Sequence, residues 1–289
     1  MAAPTAMAVR PVLVAGAGTM GSGIAQVFAT SGRPVLLSEP SETARQRGLA
    51  GIEKSLSRLV DKGTLGPTAK DETLRRIVFQ ESDFPIADCA IAVEAVPEKV
   101  DLKKSVLKEL DRKLPPGAIL ATNTSSISIT ELAASTGRPD RFVGMHFMNP
   151  VPLMPLVEIV RGLETSEKTV AETVELARTL GKTPVVVQDR PGFISNRLLM
   201  PMINEAAFSL MEGVADRESI DTVMKLGMNH PMGPLALADL IGIDVCLDIL
   251  EVLHKGFGDD KYRPCPLLRN LVAAGRLGRK SGRGFYDYA

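Results

Sequence analysis

Apolar and polar positions along residues 10 to about 190 fall into short β-branched runs separated by stretches of helical spacing. The runs are Val12–Ala15, Val35–Ser38, Ile77–Phe79, Cys89–Ala95, Ala118–Ala121, Arg141–Phe147, Leu156–Val160 and Thr183–Val187. Strands that alternate with helices predict an α/β domain built on a mostly parallel sheet. Between Glu42 and Arg76 the pattern becomes helix, polar link, helix, which is longer than a crossover requires and predicts a helical pair projecting from the sheet. Its basic residues, Lys54, Arg58, Lys62, Lys70, Arg75 and Arg76, are mixed with acids, so most of them read as a solvated helix face.

Beyond Pro191 the strands end. Ile194, Leu198, Leu199, Met202, Ile203, Ala206 and Leu210 recur at helical spacing across Phe193–Met211, and further helices are predicted at Asp216–Leu226, Leu235–Leu253 and Leu267–Gly275. The methionines and leucines on these stripes read as core or subunit interface. Two domains follow: residues 1–190, an α/β domain with an inserted helical pair, and residues 191–289, a smaller all-α domain whose apolar faces suit substrate contact and a homodimer.

The first strand runs through Gly16-Ala-Gly-Thr-Met-Gly21 into the apolar helix Ile24–Ala29, which is the pattern of a dinucleotide-binding turn. Gly16 permits the tight turn, Gly18 lets a pyrophosphate approach the backbone, and Gly21 lets helix and strand pack closely. Thr19 and Met20 lie in the same turn and are expected to line the cofactor. The second strand ends at Glu39, eighteen residues after Gly21, where an acid would meet the adenosine ribose. A carboxylate there accepts from two ribose hydroxyls and repels a 2′-phosphate, which favours NAD. Arg33 and Arg45 are close enough in sequence to keep NADP open.

Composition narrows the field. Thirty-four basic residues balance thirty-four acidic ones, so nothing global draws the chain to nucleic acid or an anionic membrane. No apolar run approaches the roughly eighteen residues needed to span a bilayer. The opening residues are small and mostly neutral, with no secretory or mitochondrial pattern, and favour the cytoplasm, with an organelle open if the source is eukaryotic. Cys89, Cys246 and Cys265 form neither a disulfide framework nor a zinc spacing, so a reducing compartment and no metal site are expected.

Only three histidines exist, His146, His230 and His254, which limits the candidates for acid/base work near neutral pH. His146 ends an apolar run beside Asn149-Pro-Val-Pro152, and Glu158 lies twelve residues on inside another apolar run, where an unpaired carboxylate would be costly. A chain reversal through the prolines brings the two together, either as a base with its orienting acid or as a core pair. Asn123 and Ser125 follow the strand Ala118–Ala121 and either face cofactor and substrate or cap the next helix. Asn196, in the first turn after Pro191-Gly192, either holds a substrate carbonyl or satisfies local backbone. The basic, glycine-rich Gly275–Gly284 is a phosphate wrap or a solvated loop. His230, among Pro and Gly, reads as part of a turn.

Taken together, Gly16–Gln26, Ala121–Ser126, Gly144–Pro150, Pro191–Arg197, Asn229–Pro234 and Gly278–Tyr286 resemble the 3-hydroxyacyl-CoA dehydrogenase family in order and spacing, from about residue 10 to the C-terminus. The likeness is strongest to its short, single-function members acting on 3-hydroxybutyryl-CoA. It implies a Rossmann-type mostly parallel sheet followed by a smaller all-α C-terminal domain, NAD as cofactor and an acyl-CoA substrate of (S) configuration. It implies His146 as general acid/base, Glu158 as its paired acid, and Ser125 and Asn196 on the substrate oxygen and 3-keto group. Glu94, Lys99, Asn149 and Lys280 fall where the family contacts NAD, and Ser55 and Lys62 where it contacts coenzyme A. Met148, where the family more often has Phe, and Ile194-Ser195, where it has Val-Val, bear on the acyl pocket. Two other readings stay open: a two-domain NAD(P)-dependent reductase of another β-hydroxyacid or an imine, and a non-enzymatic structural protein on the same fold.

Overall fold

All eight apolar runs form strands, and they pair into one sheet. In the computed structural model, which describes residues 10–79 and 86–288, the chain divides into units Met1–Asp189 and Arg190–Ala289. The opening residues used above for the compartment reading, apart from Arg10, lie outside the described residues.

The first unit runs β1 (Val12–Ala15), α1 (Thr19–Thr30), β2 (Val35–Ser38), α2 (Glu42–Asp61), α3 (Pro67–Arg75), β3 (Ile77–Phe79), β4 (Ile91–Glu94), α4 (Val100–Lys113), β5 (Ile119–Thr122), α5 (Ile129–Ala133), β6 (Phe142–Phe147), β7 (Leu156–Arg161), α6 (Glu167–Thr179) and β8 (Thr183–Gln188). The sheet order is β3-β2-β1-β4-β5-β6-β7-β8, with every pair parallel except β6 against β7. β1, β4 and β5 are buried along their whole length, which is why they read as unbroken apolar runs. The strand order reverses beside β1, so a crevice opens at the carboxyl ends of β1 and β4, where ligands bind in open α/β sheets.

The helical pair does not stand clear of the sheet. The buried face of α2, Gly48, Ile52 and Leu56, is packed down, and Ile52 and Leu56 join the same apolar core as Ile24 and Phe28 of α1. Burying those two side chains is worth about 3–6 kcal/mol together, more than a polar link can offset by solvation.

The second unit comprises α7 (Ser195–Met211), α8 (Arg217–Thr222), α9 (Pro234–Ile241), α10 (Ile243–Phe257) and α11 (Pro266–Ala273) around a core that includes Met200, Ile203, Leu235, Cys246, Leu250, Leu268 and Phe285. The single helix expected over Leu235–Leu253 is two. Gly242 interrupts it with φ +109°, a conformation that side-chain-bearing residues rarely adopt. The C-terminal segment is tied down by buried acids: Asp239 accepts from the backbone of Phe285 and Tyr286 and from the Tyr288 hydroxyl, and Asp221 accepts from Leu235, Ala236 and the Tyr286 hydroxyl. No helix among the described residues is long and apolar enough to cross a membrane.

Candidate functional site

The glycine turn is shaped by contacts that leave no room for side chains. A Cβ on Gly16 would come 2.7 Å from the Ala95 carbonyl oxygen, and one on Gly21 would overlap the Gly16 carbonyl, whereas one on Gly18 would meet no atom within 4 Å. The open space therefore lies over Gly18, at the N-terminus of α1, where no side chain caps the helix. That combination fits a dinucleotide pyrophosphate. Glu39 is fixed beside it, accepting from the backbone N–H of Ala17 and of Ser41, each at 3.1 Å. A cavity of about 780 Å³ adjoins it, lined by Gly16, Glu39, Val96, Pro97, Leu102 and Val106 among others, apolar enough for an adenine. Of the arginines that kept NADP open, Arg33 is buried on Ser31 and Thr179, whereas Arg45 pairs with Glu42 and lines the same cavity as Glu39. Met20 is partly buried and packs against the core.

The antiparallel turn between β6 and β7 sets His146 directly opposite Glu158 in register. Nδ1 of His146 lies 2.7 Å from Oε2 of Glu158, with the imidazole 6% exposed and the carboxylate fully buried. A buried acid at that distance fixes the ring's tautomer and orientation. Asn123, at the end of β5, accepts from the backbone N–H of Phe147 at 3.0 Å and so couples the β5 turn to the strand that carries His146.

Beside Ser125 lies a network that the sequence reading did not include. Glu94 sits within it, fully buried. Its buried carboxylate accepts from Val96 N–H, from Lys103 at 2.7 Å and from the Thr122 hydroxyl, so both oxygens are committed inside the protein. Lys99 is exposed at the start of α4. The residues that face the β5 turn are Lys103, 1% exposed, and Glu98, which accepts from the Thr124 hydroxyl and from the Ser125 backbone N–H at 2.9 Å. Lys103 bridges Glu94 and Glu98. Desolvation pushes the Glu98 carboxyl up, but the Lys103 charge and the Thr124 and Ser125 donors outweigh it and hold it below the usual range. Lys103 carried a sequence signal, since with Leu107 and Leu110 it completes the buried stripe of α4.

On the other side of the turn, a groove of about 700 Å³ runs between Gly18 and Thr19, the face of α2, and the loop Asn149–Leu153. It gathers Ser55, Lys62, Thr19 and Asn149, all expected from sequence, and adds Arg47, Lys54 and Arg58. Three of the cations read as solvated therefore share one functional face, because residues 54, 58 and 62 are spaced four apart. By contrast Lys70 donates to Ser57, and Arg76 pairs with Glu72. Asn196 and Lys280 belong to the second unit, where Asn196 is buried in the first turn of α7 and Lys280 pairs with Asp244 at 2.6 Å. His230 follows Asn229 in a turn with φ +56° at Asn229.

Comparison with known proteins places the whole chain in one family. Residues 11–190 match the family described as 3-hydroxyacyl-CoA dehydrogenase, NAD binding domain, and residues 192–288 match 3-hydroxyacyl-CoA dehydrogenase, C-terminal domain. A probable 3-hydroxybutyryl-CoA dehydrogenase of Bacillus subtilis is 55% identical over 98% of both chains. A 3-hydroxybutyryl-CoA dehydrogenase of Bradyrhizobium diazoefficiens is 52% identical over 98% of this chain and 97% of its own. The crystal structure of (S)-3-hydroxybutyryl-CoA dehydrogenase from Ralstonia eutropha superposes with a TM-score of 0.94 at 52% identity, covering 97% of this chain and 99% of that one.

Proposed function

The chain belongs to the 3-hydroxyacyl-CoA dehydrogenase family and is an NAD-dependent enzyme of that family; from this premise we propose that it interconverts (S)-3-hydroxybutyryl-CoA and acetoacetyl-CoA with His146 as the general acid/base. The observation that supports the assignment of the base is the buried 2.7 Å pair of His146 and Glu158 at the carboxyl end of β6.

In the oxidative direction His146 accepts the proton of the substrate 3-hydroxyl as the C3–H bond breaks. With Nδ1 held by Glu158, the proton passes through Nε2. The bound nicotinamide supplies the hydride acceptor in this direction and the donor in the reverse. Glu158 stabilises the imidazolium as it forms, so the pair binds the developing charge more strongly than the ground state. In reduction the protonated His146 returns the proton to the forming alkoxide. Ser125 holds the substrate oxygen and Asn196 the 3-keto group. Ser55, Lys62 and the neighbouring cations of α2 take the phosphates of the coenzyme, which a charged groove suits.

The same reading carries a homodimer through the second unit. Leu198, Val214, Leu226 and Met228 are each more than 60% exposed there, an apolar surface that a second copy would cover. It also carries a cytoplasmic location, supported by three unpaired thiols.

The test is loss of 340 nm absorbance with acetoacetyl-CoA and NADH, beside an NADPH arm and a His146→Ala variant. Rapid NADH oxidation, slower with NADPH and abolished in the variant, is expected. Unchanged turnover in His146→Ala would refute the assignment of the base, and no turnover in the unaltered protein would refute the substrate.

A further inference from the structure

One wall of the acyl-CoA groove is the loop between β6 and β7, the same loop that joins the His146 strand to the Glu158 strand. Loops of that length are ordinarily free to shift, and this one exposes Leu153 and Met154 to solvent. Two contacts nevertheless hold it. Lys182, the residue before β8, is 8% exposed and sends its ammonium to the carbonyl oxygens of Val151, at 2.5 Å, and Met154, at 2.7 Å. From the opposite side, Val151, 2% exposed, seats against Gly23 of α1, where an added Cβ would come 2.9 Å from the valine Cβ.

A buried lysine ordinarily faces a carboxylate. Among the described residues Lys182 makes no ion pair, and burial pulls its pKa down from the ordinary 10.5. An ammonium kept in such a place and given only two loop carbonyls is explained by what those carbonyls belong to. Retaining it for the stability of β8 alone would not require that both partners lie in one loop, three residues apart, with Val151 on the groove wall and Met154 next to Leu153, which also lines it.

We infer that Lys182 is a positioning residue for acyl-CoA recognition: together with the space left by Gly23, it fixes the Val151–Met154 backbone so that the groove wall stands ready before the ligand arrives. This rests on the reading of the groove as the acyl-CoA site. A wall fixed in advance lowers the ordering cost of binding and contributes equally to ground and transition states, so its loss falls on KM and leaves kcat largely intact.

The experiment uses the full-length protein with Lys182→Met, which keeps the aliphatic stem, and Gly23→Ala, which disturbs the same loop from another element. KM for acetoacetyl-CoA is expected to rise about tenfold in each, with kcat within about twofold and KM for NADH, which Asn149 of the same loop is read as contacting, changed by less than KM for acetoacetyl-CoA. Calorimetric binding of free coenzyme A should weaken in parallel, and amide exchange at residues 151–154 should quicken while β1 and β4 stay protected. An unchanged KM for acetoacetyl-CoA, or a fall in kcat with KM for both substrates altered alike, would overturn the inference. If the unaltered protein fails to turn over acetoacetyl-CoA, the substrate reading fails separately, and the coenzyme A and exchange arms still decide the role of Lys182.

Discussion

Removing the ammonium of Lys103 tests whether the ions buried beneath Ser125 form one unit. Lys103 is 1% exposed and Glu94 fully buried, with Nζ and Oε1 2.7 Å apart. In Lys103→Met the Glu94 carboxylate keeps its Val96 and Thr122 donors but loses its counter-charge in a place water does not reach. Truncating one partner of such a pair costs about 3–5 kcal/mol, since the remaining charge is left uncompensated. For a unit of this size that corresponds to a drop of roughly 6–20 °C in Tm. Glu94→Gln is milder, because Lys103 retains Glu98 at 3.2 Å and the Val96 carbonyl at 3.1 Å. The double variant should recover most of the loss, because a neutral carboxamide can still accept from Val96 and reach Thr122. Thermal and urea unfolding of the four proteins gives the coupling energy directly. Additivity to within about 0.5 kcal/mol would show that the two groups do not act together and refute the reasoning. Catalysis adds an independent readout. Glu98, held by Lys103, accepts from the Ser125 backbone, so Lys103→Met should also lower kcat/KM. A displacement of about 1 Å at a positioned group costs up to about 100-fold.

Three further outcomes follow from the geometry. Glu158→Gln removes the charge from the 2.7 Å contact with His146 and should lower kcat by about 10- to 150-fold, the equivalent of a charged hydrogen bond of about 1.5–3 kcal/mol, with KM for NADH unchanged; an unaltered kcat would refute the pairing. Because the Glu98 carboxyl is held below its ordinary value of 4.5, the stability it contributes is present above that pH and is lost as pH falls through the depressed folded value. Urea unfolding followed by circular dichroism from pH 6 down to pH 3 should therefore show stability depending less steeply on pH in Glu98→Gln, which lacks that increment, and an unchanged slope would refute the argument. Burial pushes the Cys89 thiol up to about 11 and Cys246 up to about 12, and all three cysteines are buried, so iodoacetamide at pH 8 should leave the native protein unlabelled and modify three thiols in denaturant.

What could be read from the chain, and what could not, divides along a physical line. Strands such as β1 and β4 are legible because burial on both faces demands continuous apolar residues, and that demand is local. The meeting of His146 and Glu158 is nearly local too, since two apolar strands joined by a proline-rich reversal have few registers that keep both faces buried. The break at Gly242 escaped because the apolar spacing continues across it. Only the backbone conformation at Gly242, with φ +109°, separates the two helices, and an added Cβ there would meet Asp244 and Lys280. The part that Glu98 and Lys103 play beside Ser125 escaped for a different reason. Glu94, Glu98, Lys99 and Lys103 occur within ten residues, and which of them meet near Ser125 depends on the rotation of α4 against β4. A lysine in an apolar stripe was the available sign. Lys103 obeys that rule with an acid for partner, and Lys182 obeys it with two carbonyls. In both cases an ion placed where it is costly holds the backbone of a loop at the site, so buried cations mark the supports of this site more reliably than the exposed ones mark its contacts.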